Sequence, residues 1–200
     1  MAKISGFEPL SAGEQRLLAE MPTDEFVVLG DGQRPGPKAG TEVQIRGEVL
    51  RLLLLGKAED REAYGAVLHE KGIRIVGARI TGFLDLEGAR IPRDLALFDC
   101  QIDAVPVLRS AEIDSLFLDG SHLPGLAADR LVARADVYLR RAVVTGSVRL
   151  LHARLGGNLS FIGARLTGGG DDVALLADGL QTGGAVFLRM AEVTGGVRLL

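Results

Sequence analysis

The stretch "HARLGGNLSFIGARLTG" (residues 152–168) says one short phrase twice: Ala153-Arg154-Leu155 returns as Ala164-Arg165-Leu166, eleven residues on. The same triplet of a small residue, a variable one and an aliphatic occurs upstream. It appears as Ala78-Arg79-Ile80, Ala89-Arg90-Ile91, Cys100-Gln101-Ile102, Ala111-Glu112-Ile113, Ser121-His122-Leu123 and Ala142-Val143-Val144, and downstream as Ala191-Glu192-Val193. Between these stands a second triplet with two large apolar ends. Its copies are Leu84-Asp85-Leu86, Leu95-Ala96-Leu97, Leu116-Phe117-Leu118, Val137-Tyr138-Leu139, Val148-Arg149-Leu150, Leu159-Ser160-Phe161 and Val186-Phe187-Leu188. The closing aliphatics Ile80, Leu86, Ile91, Leu97 and Ile102 are six, five, six and five residues apart.

A helix requires apolar positions three and four apart, and this pattern lacks them. Alternation in, out, in over three residues, followed by a short corner, is a very short strand and a bend. Four such sides make a coil of about 22 residues, and coils stack at the strand separation of about 4.8 Å, so roughly six coils give a rod about 30 Å long. Small and large residues then point inward on alternate sides, arginine points outward and glycine turns the corners. The predicted fold is mainly β: a right-handed quadrilateral parallel β-helix over residues 72–200, preceded by a small N-terminal helical cap and loop segment over 1–71. A leucine-rich-repeat horseshoe expects an Asn or Cys ladder and one long arc per repeat, and neither is present.

A longer repeat overlies the short one. Residues 125–151 match residues 174–200 at 15 of 27 positions without a gap, a period of 49. That equals two coils plus an insertion, which places "GGGDD" (Gly168 to Asp172) at a corner. In the first copy Leu151 leads into another coil, so its counterpart Leu200 is expected to stand at an open coil, either within a longer protein or covered by a partner, since natural solenoids cap such ends.

The N-terminal segment, before the repeats, reads differently. Ser11-Ala12-Gly13-Glu14 is a capping box opening a helix through Glu20, and Thr41-Glu42-Val43-Gln44 is a second, predicting a helix to about Leu55. In that second helix Ile45, Val49, Leu52 and Leu53 line one face, widened by Leu50, Leu54 and Leu55, with Arg46, Glu48 and Arg51 outside. Its expected task is to plug the first coil. Residues 31–40, "DGQRPGPKAG", read as a loop.

With 27 glycines, no tryptophan and 4% aromatics, the core must be built from Leu, Ile, Val and Ala with many tight bends. The net charge is −3, but residues 72–200 carry 14 acidic and 14 basic side chains, every basic one an arginine. This balance lacks the basic excess of a phosphate-tracking protein, and no nucleic-acid partner is expected. The single Cys100 cannot form an internal disulfide, and the chain opens without a secretory-type leader, so a cytoplasmic address is expected. The most apolar run, Val49 to Leu55, is far short of the about 20 residues needed to span a bilayer.

Chemistry-bearing patterns are sparse. "FVVLGDGQRPG" (Phe26 to Gly36) superficially resembles a dinucleotide fingerprint, but its spacing is one too long, and Pro35 and Pro37 forbid the helix that would hold a pyrophosphate. The Gly168–Asp172 run lacks the ligand spacing of a calcium loop. His69, His122 and His152 are scattered, with His122 read as outward and solvated, and Cys100 takes the place of a buried alanine. Asp85, Asp99 and Asp119 do not cluster as an enzyme cleft requires. No catalytic, cofactor-binding or metal residue is assigned, and no cofactor is expected. If alternate large triplets share a side, Ala96, Phe117, Tyr138, Ser160 and Phe187 form one outward row. Exposed aromatics in a row mark contact surfaces, which makes Phe117, Tyr138 and Phe187 the candidate partner-binding face. Outward Arg90, Glu112 and Arg134 are expected to form a charge ladder contributing about 0–1 kcal/mol per exposed pair.

The alternating five- and six-residue steps, with Ala or Cys two places before an inward Leu or Ile, resemble the pentapeptide-repeat proteins and their quadrilateral β-helix. The match covers 72–200 and departs from the family in its six-residue steps and in the large residues on alternate sides. "GARITGFLDLEGARI", "VRLLHARLGGNLSFIGARL" and "LLADGLQTGGAVFLR", with the N-terminal "EVQIRGEVLRLLLLG", are similar to a group of bacterial proteins, often actinobacterial, that carry the label membrane-associated oxidoreductase. No catalytic residues come with that resemblance, and any membrane attachment would lie beyond Leu200. The expected function is a non-enzymatic rigid scaffold or protein-interaction module of a larger bacterial protein. It would engage a protein partner, or itself, through a β-helix face or the open C-terminal coil. The alternatives are an enzyme, with the redox activity of that label or carbohydrate-active on a β-helix face, and a gyrase-type inhibitor that mimics DNA.

Overall fold

The computed structural model describes residues 3–170 and 172–200. The inward alternation of the triplets becomes four walls of parallel strands, each built from one strand per coil. Face 1 carries, in order, Val27–Val28, Gly72–Val76, Asp94–Phe98, Leu116–Phe117, Val137–Tyr138, Leu159–Ser160 and Val186–Phe187. Face 2 carries Gln44–Arg46, Arg79–Thr81, Gln101–Ile102, His122–Leu123, Val143–Val144, Arg165–Thr167 and Glu192–Thr194. Face 3 runs through Leu126–Ala127, Val148–Arg149, Val173–Leu176 and Gly196–Arg198, extended backwards by single bridges from Ala127 to Val107 and from Val107 to Asp85. Face 4 holds Arg90–Ile91, Glu112–Ile113, Val132–Ala133, Arg154–Leu155 and Gln181–Thr182. The chain visits the four faces in turn and begins again, which makes the molecule a four-sided parallel β-helix.

Along face 1 the inward residues Ile73, Leu95, Leu116, Val137, Leu159 and Val186 are register partners at nearly even intervals, except that the last step, Leu159 to Val186, is longer than the rest. The extra length is accounted for by the glycine-rich insertion between faces 2 and 3, after Thr167, as predicted; Asp171 within it lies outside the described residues.

Two opposite corners of each coil are made by one residue with left-handed backbone. Between faces 1 and 2 these are Gly77, Asp99, Gly120, Arg141, Gly163 and Met190; between faces 3 and 4 they are Gly88, Ser110, Arg130, His152 and Gly179. The next side chain enters the tube hard against the bend, and mostly small residues stand there: Ala78, Cys100, Ser121, Ala142 and Ala164, and on the other corner Ala89, Ala111 and Ala153, where Leu131 and Leu180 are the exceptions. The expectation that glycine turns the corners is thus only half right. Non-glycine residues adopt the conformation at a cost of about 1–2 kcal/mol each, offset by hydrogen bonds to the next coil such as Arg130 N–H to Leu151 O at 2.7 Å and His152 N–H to Asp178 O at 2.9 Å. Inside, Leu97, Leu118, Leu139 and Phe161 form one fully buried row, and the buried cluster continues without a break from Ile4 to Ala177.

The cap does more than cover the first coil. Val27–Val28 pairs with Ile75–Val76, and Gln44–Arg46 pairs with Arg79–Thr81, so the cap begins two of the faces. Helix α1 (Ala12–Glu20) has the predicted reciprocal capping box between Ser11 and Glu14. The second predicted capping box, at Thr41, is overturned. The segment Gln44–Arg46 is extended, Ile45 is buried as a strand residue, and helix α2 (Gly47–Leu55) starts only after that strand, without a side-chain cap. Pairing with Arg79–Thr81 satisfies the backbone and buries Ile45 at once, which a local helix start cannot do. The plug itself is as expected: Val49, Leu50, Leu52, Leu53 and Leu54 are buried, and Gly47 sits so close to the backbone of Phe83 and Leu84 that a Cβ would approach within 2.6 Å.

Within the cap, α1 is joined to Gln44–Arg46, the strand that begins face 2, by the fully buried Glu14 and by Arg46. The carboxylate accepts from the Arg46 backbone N–H at 2.9 Å, from Nε at 2.8 Å and from Nη2 at 2.7 Å. Burial pushes the Glu14 carboxyl up, but the bonds from Arg46 and Ser11 outweigh it and hold the group below its ordinary value of 4.5. A depressed folded value means that this stability is fully present above about pH 4.5 and is lost as the pH falls through the folded value. Glu14→Ala is therefore expected to destabilise by about 3 kcal/mol at pH 7, the low end for a broken buried pair because Arg46 keeps a third of its surface in water. Urea unfolding checks this, and the gap between variant and wild type should close as the pH is lowered below 4.5.

Candidate interaction face

The outward positions of face 1 are register partners in the order Ala96, Phe117, Tyr138, Ser160, Phe187, the row read from the triplets. Phe117 and Tyr138 come together, with ring centroids 5.5 Å apart in an edge-to-face arrangement. The row is longer than the sequence pattern indicates. Phe98 stacks on Phe117 with centroids 6.2 Å apart, and Phe26 meets Phe98 edge-on at 5.6 Å. Phe98 is legible in the sequence, being outward two residues beyond Ala96; Phe26 is not, because its place depends on the cap strand joining the sheet.

Arginines close both ends of the four-ring run. The Arg74 guanidinium lies 5.1 Å from the Phe26 centroid and the Arg140 guanidinium 4.6 Å from that of Tyr138. Both are anchored. Arg74 pairs with Asp24 at 2.9 Å, and Asp24 is held below the usual carboxylate range by hydrogen bonds from Lys71 and Arg74. Arg140 pairs at 2.6 Å with the buried Asp119, whose Oδ1 also accepts from the Arg140 backbone N–H at 2.7 Å. Ring pairs contribute about 0.5–1.5 kcal/mol beyond area burial, and cation–π contacts about 0.5–1 kcal/mol at exposed sites, so the row helps to hold successive coils together.

One expectation about the face needs correction. Phe117 and Tyr138 do not stand free in solvent, because each ring covers its neighbour and both are half-buried; the more exposed members are Phe26 (42%) and Phe187 (41%). Phe187 shares the row but is separated from Tyr138 by Ser160, whose buried Oγ bonds to no group among the described residues.

The charge ladder is also rearranged. Arg90 and Glu112 pair at 3.3 Å, but the next register partner on face 4 is Val132, and Arg134 instead pairs with Asp114 at 2.8 Å. Arg134 lies two residues beyond Val132 and falls at the corner. Elsewhere Arg79–Asp103, Arg109–Glu87, Arg149–Asp129, Arg165–Glu192 and Arg198–Asp178 bridge neighbouring coils.

The remaining candidates are structural. His122 is not simply solvated: its Nδ1 lies 2.9 Å from Gln101 Oε1, and partial burial followed by the charge of Arg34 lowers its pKa. Gly30 and Gly32 form a left-handed turn packed on the first corner, where a Cβ on Gly77 would meet Leu29 O at 2.7 Å, and no helix follows them before α2. Asp85 accepts from the Glu87 backbone N–H on face 3, Asp99 makes a corner and Asp119 is tied to Arg140, so the three acids share no cleft. Among the described residues no group of three His, Cys, Asp or Glu side chains is placed to hold a metal ion. Nor is any helix among them long and apolar enough to cross a membrane. No family model, curated protein or solved structure matches the chain.

Cys100 occupies the small-residue row as expected, fully buried, its N–H donating to Ser121 Oγ, which in turn donates to Leu97 O. Burial pushes its thiol up to about 12. The folded protein should therefore fail to react with a thiol-specific disulfide reagent at pH 8 over minutes, and release one equivalent when unfolded in guanidinium.

Proposed function

We propose that this chain is a non-enzymatic, rigid scaffold that binds a protein partner across face 1. The reading is carried by one observation: four aromatic rings from Phe26 to Tyr138 in unbroken contact along one side of the rod, with Phe187 further along the same row. Aromatic and arginine side chains on a preorganised surface supply contact area at little entropic cost, which is why both are enriched at interfaces. Here the backbone of every ring-bearing strand between the cap and Tyr138 is locked by its neighbours, and Arg74 and Arg140 are already paired, so little ordering is left for the moment of binding. The rest of the proposal is kinship with the pentapeptide-repeat proteins, supported by the four-sided coil and the small-residue row behind its corners, and a cytoplasmic setting, supported by the single buried thiol.

The rival readings find less support. A DNA mimic needs a continuous acidic face, whereas the acids on the rod are interleaved with arginines from adjacent coils. An enzyme needs convergent polar groups, and of the acids nominated for that role Asp85 stands on face 3, away from Asp99 and Asp119 at the corner of faces 1 and 2, where Asp119 is already tied to Arg140.

Site-specific photo-crosslinking tests the proposal. A benzoylphenylalanine at position 187 is expected to capture one defined partner in cells, and the same group at position 85 on the opposite face should not. Adding Phe117→Ser and Tyr138→Ser should reduce capture about tenfold or more, equivalent to at least about 1.4 kcal/mol of binding, with the far-UV spectrum preserved. Equal capture from both positions, or capture indifferent to the serine changes, overturns the reading; a partner that is a second copy of the chain replaces it with self-association.

A further inference from the structure

We infer that a second site, independent of face 1, binds a small apolar carboxylate between the cap and the rod. A half-open pocket of about 520 Å³ lies where the C-terminal turn of α2 and the following loop meet the end of the first strand of face 4. Pockets of roughly 300–1,000 Å³ hold small ligands, and at about 30 Å³ per water-sized group this one holds on the order of fifteen non-hydrogen atoms. Leu52, Leu55, Ala58, Ala66 and Val67 supply apolar walls from two elements, and Val67 is left 64% exposed at the margin.

The charged lining is one-sided: Arg61, Arg90 and Arg93 against the single acid Glu62. The three arginines are not equivalent. Arg90 already has Glu112, and Arg61 donates to Gly56 O at 3.4 Å, answering a carbonyl at the α2 C-terminus. Arg93 pairs with no acid among the described residues, and its Nε is screened from solvent while donating to no acceptor among them. The enclosed Nε is out of a ligand's reach, but Arg93 is only partly buried and lines the pocket with no acid paired to it, so a carboxylate entering there would meet a guanidinium free to form a charge-assisted bond. An apolar chain on the acid would cover the leucines and Val67. A neutral or cationic apolar molecule would fill the same walls and leave Arg93 unanswered.

Calorimetric titration of the full chain with octanoate, octanol and octylammonium tests this. Octanoate is expected to bind one to one, octanol about tenfold or more weakly, and octylammonium not at all. Arg93→Gln should bring octanoate down to the level of octanol while leaving octanol unchanged, and Ala66→Phe should weaken both by filling the pocket. Val197→Glu, on the exposed apolar coil at the far end of the rod, should change nothing. Equal binding of octanoate and octanol by the wild type, which requires no variant, overturns the inference. So does absence of saturable octanoate binding, its persistence in Arg93→Gln, or its loss in Val197→Glu. None of these outcomes bears on the face 1 proposal, which is read by crosslinking at position 187.

Discussion

Parallel pairing between coils is the constraint from which the rest of this structure follows. Each strand is only two to five residues long and could not persist alone, yet its N–H and C=O groups are answered by the coil below and the coil above. Such pairing requires every coil to present the same outline, which is why left-handed backbone recurs at the same two corners whether the residue there is Gly120 or Arg141. It also fixes which side chains meet. Leu97, Leu118, Leu139 and Phe161 are neighbours inside for the same reason that Phe117 and Tyr138 are neighbours outside. A departure such as the insertion after Thr167 is tolerated because it bulges at a corner, where no wall is interrupted.

This explains which parts of the molecule are legible in its sequence. The triplets Ala153-Arg154-Leu155 and Leu159-Ser160-Phe161 report side-chain direction directly, since period-two alternation admits one set of inward residues. From them the walls, the corner insertion and the Phe117–Tyr138 pairing can be read. What escapes depends on partners distant in sequence. Thr41-Glu42-Val43-Gln44 carries a locally valid helix start, but Gln44–Arg46 has a free strand, Arg79–Thr81, to pair with, and the long-range ladder wins. Phe26 joins the aromatic row only because Val27–Val28 begins face 1. Arg134 misses the ladder expected of it because little in the local pattern between Leu116 and Val137 separates Val132, on the wall, from Arg134, on the bend. The unpaired Arg93 is invisible altogether, since only the fold brings it beside α2.

A rod of this kind converts sequence order into fixed spatial intervals, and this shapes what its surface can do. Residues one coil apart are held at about one strand spacing with little freedom to adjust, so a face recognises by matching a partner's periodicity rather than by closing around it. The proposed role of the aromatic row suits that mode: the rings from Phe26 to Tyr138 are held by one another and by two anchored arginines, and their edges, with Phe26 and the separate Phe187, are what a partner would meet. The arginine–acid pairs on the other faces serve a different end. Pairs such as Arg90–Glu112 and Arg165–Glu192 are exposed enough to contribute little individually, whereas Asp129, paired with Arg149, is largely buried; together they place unlike charges on adjoining coils at the outer positions, which discourages a slip in register that would set like charges side by side.

The cap ties these features together, and it does so through charge as much as apolar contact. Glu14 draws Arg46 and its strand onto α1, which sets where face 2 begins and where α2 must start. Asp24, at the other edge of the cap, takes Lys71 and Arg74 together, and Arg74 in turn lies over Phe26. The first ring of the row and the walls of the Arg93 pocket are thus positioned by residues outside the repeats. A repeat array alone would supply the interval between Phe98, Phe117 and Tyr138, but neither the ring that starts the row nor the pocket beside Arg93. If face 1 and the pocket have the roles assigned to them, both are properties of the junction between cap and rod, where the periodic order of the coils first meets side chains that do not repeat.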